Sequence, residues 1–320
     1  MVRSNCCKPG AKAPVDVSCH EDDYQRLVET PAEARFLPDS AVEVIRQPPR
    51  EPPRHVLFDF DGTLSLIREG WPQVMVPMMV EVLEATGSGE PAEALRKLVF
   101  EFVMQLNGKQ TIYQMIRLAA EVRRRGGTPE EPLFYKQRYH QRLMERIAGR
   151  REGLRTGRIR PEAMLVAGAR DLLAELCRRG ARLYLASGTD EPYVLEEARL
   201  LGLDEFFGHS IYGARDDYQT FSKAMVIERI LREHDAGGHA LVGFGDGYVE
   251  IQNVKAAGGT AIAVATDEAG RSGRPDPWKR DRLIGAGADL VIPDFRDWPR
   301  LVPYLWGEVS GVCGVGSGEW

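Results

Sequence analysis

Two aspartates stand two positions apart in Phe58-Asp59-Phe60-Asp61-Gly62-Thr63, directly behind the apolar run Val56-Leu57-Phe58. Reactive residue types recur three more times downstream. Ser187-Gly188 follows the apolar stretch from Arg182 to Ala186, Lys223 opens a helical pattern, and Asp246 and Glu250 follow Ala240 to Phe244. Carboxylates can attack as nucleophiles or pass protons, and a lysine can neutralise an anion. Asp246 and Glu250, four apart at a helix entrance, share a face. Were Asp59, Asp61 and Asp246 to converge within ~4 Å, each pair would repel by ~4 kcal/mol at an effective dielectric of about 20. Three such pairs, ~12 kcal/mol, exceed the stability of many domains. Such a cluster persists around a cation, and an all-oxygen ligand set with open positions suits Mg²⁺. The alternative is that these carboxylates cap separate helices and never meet.

Each of these groups lies at or just beyond an apolar run of strand length. Strands are predicted at 56–58, 182–186, 211–212, 240–244, 260–265 and 290–292. Between them fall helical stripes such as Leu172, Leu173, Leu176 and Cys177, closed by Arg178-Arg179-Gly180. Strands alternating with helices imply crossover units and a mostly parallel, doubly wound sheet, which binds ligands beyond the carboxyl ends of its strands.

One interval, Ser65 to about Arg160, is far longer than an ordinary connection. Its apolar residues repeat at helical spacing: Leu95, Val99 and Phe102, then Ile112, Met115 and Ala119, then Tyr135, Tyr139, Leu143 and Ile147. Three or four amphipathic helices inserted after the first strand make a small helical domain. The predicted division is an appendage and Pro-rich linker at 1–54, an α/β core at 55–65 plus 161–300, the helical insertion at 66–160 and a tail at 301–320.

The four groups in this order resemble the haloacid dehalogenase-like phosphohydrolases: Asp59-Phe60-Asp61-Gly62-Thr63, Ser187-Gly188, Lys223, and Gly245-Asp246-Gly247-Tyr248-Val249-Glu250. The resemblance covers about residues 55–295, and the insertion resembles the cap of the phosphoglycolate phosphatase and β-phosphoglucomutase branch. It implies a Rossmann-like core in which Asp59 attacks phosphorus to form an aspartyl-phosphate, while Asp61 protonates the leaving oxygen and then activates water. It implies Mg²⁺ held by Asp59, the Asp61 carbonyl, Asp246 and Glu250. It also implies phosphate oxygens held by Ser187 and the Gly188 amide, with Lys223 neutralising charge. Glu250 stands where many relatives carry Asp, and Ala224 follows Lys223 where the branch often has Pro. Asp61 argues against dehalogenation, whose enzymes lack that second acid. Arg68, Glu69, Trp71, Lys109 and Thr111 flank the cap entry or its central loop and are the expected substrate contacts. The reading is an Mg²⁺-dependent phosphatase for a small phosphorylated metabolite, a sugar phosphate or similar organic phosphate. A phosphomutase of the same fold and a non-catalytic binding module are the alternatives.

Composition fits this reading. The 320 residues are 43% hydrophobic and 28% charged, so the chain can bury a core. A net charge of −5 disfavours a nucleic-acid partner, and five scattered cysteines make no disulfide framework. No apolar run reaches the ~18 residues of a membrane span. The longest, Val74 to Leu83, contains Pro77 and Glu81. Residues 1–10 lack the apolar segment of a signal peptide, so the chain is expected in the cytoplasm without a membrane partner. Asn107-Gly108-Lys109-Gln110-Thr111 lacks the first glycine of a phosphate loop, and Gly243 to Tyr248 lacks the third of a dinucleotide fingerprint. Cys19-His20 completes no zinc site, Cys177 reads as a core thiol, and Gly311 to Gly318 reads as a disordered tail.

Overall fold

The computed structural model describes residues 24–49, 51–215, 217–309 and 313–314. The early cysteines, His20 and most of the glycine-rich tail lie outside these. The strands are β1 (Arg35–Phe36), β2 (Glu43–Val44), β3 (His55–Phe58), β4 (Arg182–Asp190) and β5 (Ile211–Ala214). They continue with β6 (Leu241–Gly245), β7 (Thr260–Val264), β8 (Leu290–Ile292) and β9 (Cys313–Gly314). They form one nine-stranded sheet in the order β5-β4-β3-β6-β7-β8-β2-β1-β9. The first five of those pairings are parallel and the last three antiparallel. The doubly wound, mostly parallel core is as expected.

Alternation along the strands gives the sheet two apolar faces. Val56 and Phe58 join one core layer with Leu183, Leu185, Val242 and Phe244. Leu57 joins the other, with Tyr184, Leu241 and Ala263. The first layer is closed by α5 (Ala169–Arg178), α6 (Glu191–Leu200) and α11 (Trp298–Leu305). The second is closed by α8 (Lys223–Glu233), α9 (Tyr248–Ala256) and α10 (Pro277–Gly285). A short helix, α7 (Asp204–Phe207), precedes β5.

The inserted helices are α1 (Pro72–Glu84), α2 (Ala92–Gln105), α3 (Thr111–Arg124) and α4 (Pro132–Arg155). Their stripes meet in a core continuous with the first layer, including Met79, Val99, Met115 and Leu143. The apolar run at 74–83 is part of α1, and its buried face is protein interior. Among the described residues no helix is long and apolar enough to cross a membrane. The insertion enters and leaves the core side by side: Ser65 bridges Leu165, Leu66 N–H donates to the Met164 carbonyl, and Val166 N–H to that of Leu64. Arg150 ties this crossing to α4, donating to the carbonyls of Ile67 (2.8 Å) and Glu69 (2.7 Å).

Three expectations are corrected. Residues 35–44 are not free of the core, since β2 pairs with β8 and buries Val42 and Val44. Residues 301–305 belong to α11, which buries Leu301, Val302 and Leu305. Cys177 is exposed, because α5 turns Leu172, Leu173 and Leu176 inward and the next residue falls about 100° further round.

Candidate active site

β3 is flanked by β4 and β6, so the chain leaving Phe58 emerges where the winding reverses direction. The Phe58 ring stacks on Phe244 at 4.8 Å, and the Asp59 N–H continues the ladder to the Phe244 carbonyl at 2.9 Å. The chain then turns so tightly that the N–H groups of Leu64 and Ser65 both donate to the Phe60 carbonyl. Gly62 makes the turn possible: its φ is +76°, and a Cβ there would stand 2.3 Å from Asp246 Oδ2. Thr63 Oγ1 accepts the Asp246 N–H at 3.0 Å, joining the first group to the fourth.

A cavity of about 100 Å³ opens over this junction, and Asp59, Asp61, Ser187, Gly188, Lys223 and Asp246 all line it. Lys223 begins α8, where Ser222 caps the helix by accepting the Met225 N–H. From there its ammonium reaches Asp59 Oδ1 at 2.6 Å. Burial pushes the Asp59 carboxyl up to about 6; Lys223 holds it down and Asp246 raises it further. Asp61 is pushed up to about 7, again chiefly by burial, against the pull of Arg68. Thr189 Oγ1 donates to Asp61 Oδ2 at 2.8 Å, while Asp61 Oδ1 is buried without a hydrogen-bond partner. Ser187 Oγ accepts the Thr189 N–H within the last residues of β4, where the pairing with β5 shifts register.

The loop between α2 and α3 sits directly on this floor. A Cβ at Gly247 would lie 2.8 Å from Gly108 Cα, so two glycines permit the close approach. Gln110, the residue before α3, donates its side-chain amide to the carbonyls of Phe221 (2.7 Å) and Tyr218 (3.1 Å). Lys109 and Thr111 flank it and line the cavity, as does Trp71 at the start of α1.

Two expected contacts take other partners. Glu69 lies outside the cavity and pairs with Arg150 at 2.6 Å. Arg68 reaches the cavity wall, yet its guanidinium is held by both oxygens of buried Glu197 at 2.9 Å and stands 3.7 Å from Asp61. It acts on Asp61 rather than facing open space. The expected metal set also divides. Asp59 and Asp246 share the cavity, and the repulsion that Asp246 adds to the burial of Asp59 is what a divalent cation would relieve. Their oxygen donors fit Mg²⁺. Glu250 does not join them: it is buried beneath the cavity in an ion pair with Lys223. Among the described residues no three Asp, Glu, His or Cys side chains gather into a metal-binding group. Asp246 Oδ2 accepts from Lys279 at 2.8 Å, and Lys279 also reaches Glu268 at 2.7 Å. Burial works against the charge on Lys279, but these two carboxylates outweigh it.

Lys279, Glu197, Lys136 and His140 carry no sequence signal for a site. They come from inside helices whose patterns say which face is buried, not which charged residue turns toward a cavity. Thr189 alone was within reach, two positions past Ser187.

A doubly wound sheet with a buried aspartate and a lysine at its switch point defines an α/β enzyme built around a carboxylate. The chain belongs to the haloacid dehalogenase-like hydrolases, whose family model matches residues 53–258. Similar solved structures include a β-phosphoglucomutase from Clostridium difficile, 11% identical with a TM-score of 0.53, covering 80% of this chain and 98% of that one. A predicted phosphatase from Clostridium acetobutylicum is 14% identical with a TM-score of 0.52, covering 79% and 99%. A predicted phosphoglycolate phosphatase from Haemophilus somnus is 15% identical with a TM-score of 0.50, covering 78% and 97%. At these identities the likeness is one of fold. No curated protein matches the chain by sequence.

Proposed function

We propose that the chain hydrolyses a small soluble phosphomonoester in the cytoplasm, with Asp59 as the nucleophile and Mg²⁺ as cofactor. The observation that carries this reading is the convergence of Asp59, Asp61, Ser187 and Lys223 on one small cavity. An Asp59 oxygen attacks phosphorus and the bond to the leaving oxygen breaks, with Asp61 giving that oxygen its proton. Water then attacks the aspartyl-phosphate, Asp61 takes a proton from it, and phosphate leaves with Asp59 restored. A carboxyl held near pH 7 suits both proton transfers. Ser187 and the Gly188 amide hold the phosphoryl oxygens, and Lys223 offsets their charge. Asp59, the Asp61 carbonyl and Asp246 would hold Mg²⁺, which supplies positive charge to the phosphoryl group when bound. The loop at 107–110, seated on the floor, keeps bulk water out.

Phosphate release from a broad phosphomonoester panel with Mg²⁺ tests this. Asp59→Asn is expected to lose turnover by ~10⁴-fold or more, as nucleophile loss does in other covalent enzymes. Full turnover by that variant, or no release from any panel member, would overturn the reading. Adding a bis-phosphorylated primer separates hydrolysis from transfer: isomerised sugar phosphate instead of free phosphate would make the chain a phosphomutase.

A further inference from the structure

A lysine with no part in the chemistry assigned above stands against Asp246. Lys279 lies in the first turn of α10, where Asp276 caps the helix by accepting the Lys279 N–H at 2.8 Å. The Asp276 N–H donates to the Ala265 carbonyl just past β7, and Thr266 bridges Pro275, so the start of α10 is tied back to the carboxyl end of the sheet. From there the ammonium donates to Asp246 Oδ2 at 2.8 Å and to Glu268 Oε1 at 2.7 Å. Only 9% of the lysine is exposed. Both acceptors press on the turn that carries Asp61: a Cβ at Gly62 would lie 2.3 Å from Asp246 Oδ2 and 3.1 Å from Glu268 Oε1.

The same arrangement occurs around Asp59. There Lys223 takes Asp59 Oδ1 and is paired with buried Glu250 as well. Asp59 and Asp246 thus each give one oxygen to an ammonium, and each ammonium is anchored by a glutamate. A buried lysine held by two carboxylates cannot swing away without leaving both of them unpaired. Its hold on Oδ2 therefore persists, and Asp246 offers a cation its other oxygen alone. That restriction bears on which cation fits. Mg²⁺ demands an octahedral shell, which the two close oxygens of one carboxylate would distort. The larger Ca²⁺ takes more ligands and accepts both oxygens of one carboxylate.

We infer that Lys279, anchored by Glu268, is a positioning residue for Asp246: it keeps Oδ2 from the metal and makes the site select Mg²⁺ over Ca²⁺. The inference rests on the Mg²⁺ cofactor proposed above and adds the pair of residues that sets the choice of metal. The positive charge of Lys279 acts on both dications alike, so it cancels in the ratio of their affinities, whereas access to Oδ2 does not.

Mg²⁺ and Ca²⁺ titrated separately into the full chain, without substrate, test it, with dissociation constants read by calorimetry and checked by the rise in melting temperature. The wild type is expected to bind Mg²⁺ more tightly than Ca²⁺. Lys279→Met removes the ammonium and should reduce that ratio about tenfold, as the loss of a group that orients a metal ligand does elsewhere. Glu268→Gln loosens the anchor while sparing the ammonium and should lose a smaller part of the ratio. Cooperative melting shows that each variant is folded. A ratio equal to the wild type's in Lys279→Met, or in Glu268→Gln should Lys279→Met not fold, overturns the inference. So does a wild type that prefers Ca²⁺. Phosphate release by the same preparations keeps the two readings apart: hydrolysis with an unchanged ratio leaves the phosphatase reading intact, and a shifted ratio without hydrolysis of any ester leaves the inference intact and sinks the phosphatase. If the wild type binds neither dication, the proposed cofactor falls and the inference with it.

Discussion

Arg68 and Glu197 show how a single residue's role depends on what lies opposite it. A lone arginine at the cap entry invites assignment to a phosphate. Here Glu197, fully buried, engages it through both oxygens and leaves its Nε near Asp61. The pair fixes the cation that stands beside Asp61. A different buried group contributes to the response of stability to pH. His55 opens β3 under Tyr184, whose hydroxyl stands 3.2 Å from Nδ1, with the His234 ring stacked at 4.8 Å. Burial, then the neighbouring His234, Arg182 and Arg54, push it from 6.5 down to about 4. The unfolded chain therefore takes up this proton first as pH falls, so the His55 contribution to stability is full above about pH 6.5 and is lost toward pH 4, against the opposite contribution of the raised Asp59 and Asp61 carboxyls. His140 adds to the same decline. Melting temperatures measured from pH 7 to 4 should fall more steeply for the wild type than for His55→Phe. Parallel curves would show that His55 does not titrate in this window.

At the scale of elements, the two glycines that let the α2–α3 loop touch the α9 entrance are the feature most open to test. Gly247→Val must displace either the Gly108 backbone or Glu250, whose Oε2 would lie 2.5 Å from the new Cβ. The loop, held by the Gln110 amide, is the part that yields. A shift of about 1 Å near the reacting groups is expected to reduce kcat by ~10²-fold. Trypsin should also cut after Lys109 faster than in the wild type; unchanged kinetics and cleavage would show that the contact has no role in closure. The sequence made much of this arrangement legible, for a physical reason. Asp59 and Asp246 follow buried strands and Ser187 follows the apolar run inside β4, and where such runs end abruptly the polar residue beyond stands out. Lys136 and Lys279 sit amid other charges on helices, and only the packing of the helix decides which of them turns inward. β1 and β2, two residues each, are too short for any alternation to register, and Pro277 and Pro303 obscured α10 and α11.

At the scale of the molecule, the segment before β3 completes the sheet. β2 covers the edge of β8, and Tyr24 packs edge-on against Tyr248 at 5.6 Å with the Arg282 guanidinium 4.0 Å from its ring centre. Arg282 in turn donates to the Gln105 carbonyl at the end of α2, linking this segment to the insertion. Deleting residues 1–46 removes buried Leu37, Val42 and Val44, each contributing about 1.5–3 kcal/mol. It also exposes β8 as an unpaired edge. The truncated chain is expected to melt about 10 °C lower or more and to aggregate on heating. An unchanged melting temperature would return this segment to the status of an appendage.

The paired crossing at Ser65 and Leu165 carries a last consequence. Because the insertion begins and ends at neighbouring points, it is a cassette whose removal leaves two chain ends already aligned for a short splice. A helical bundle from another source with equally close termini could be grafted there without altering the connectivity of the sheet. Lys136 and His140 would leave with the old cassette, and Asp59, Asp61 and Asp246 would stay behind. The site is thus divided between a transferable half and a resident half, and the chain can acquire a new substrate by exchange of one uninterrupted stretch of sequence.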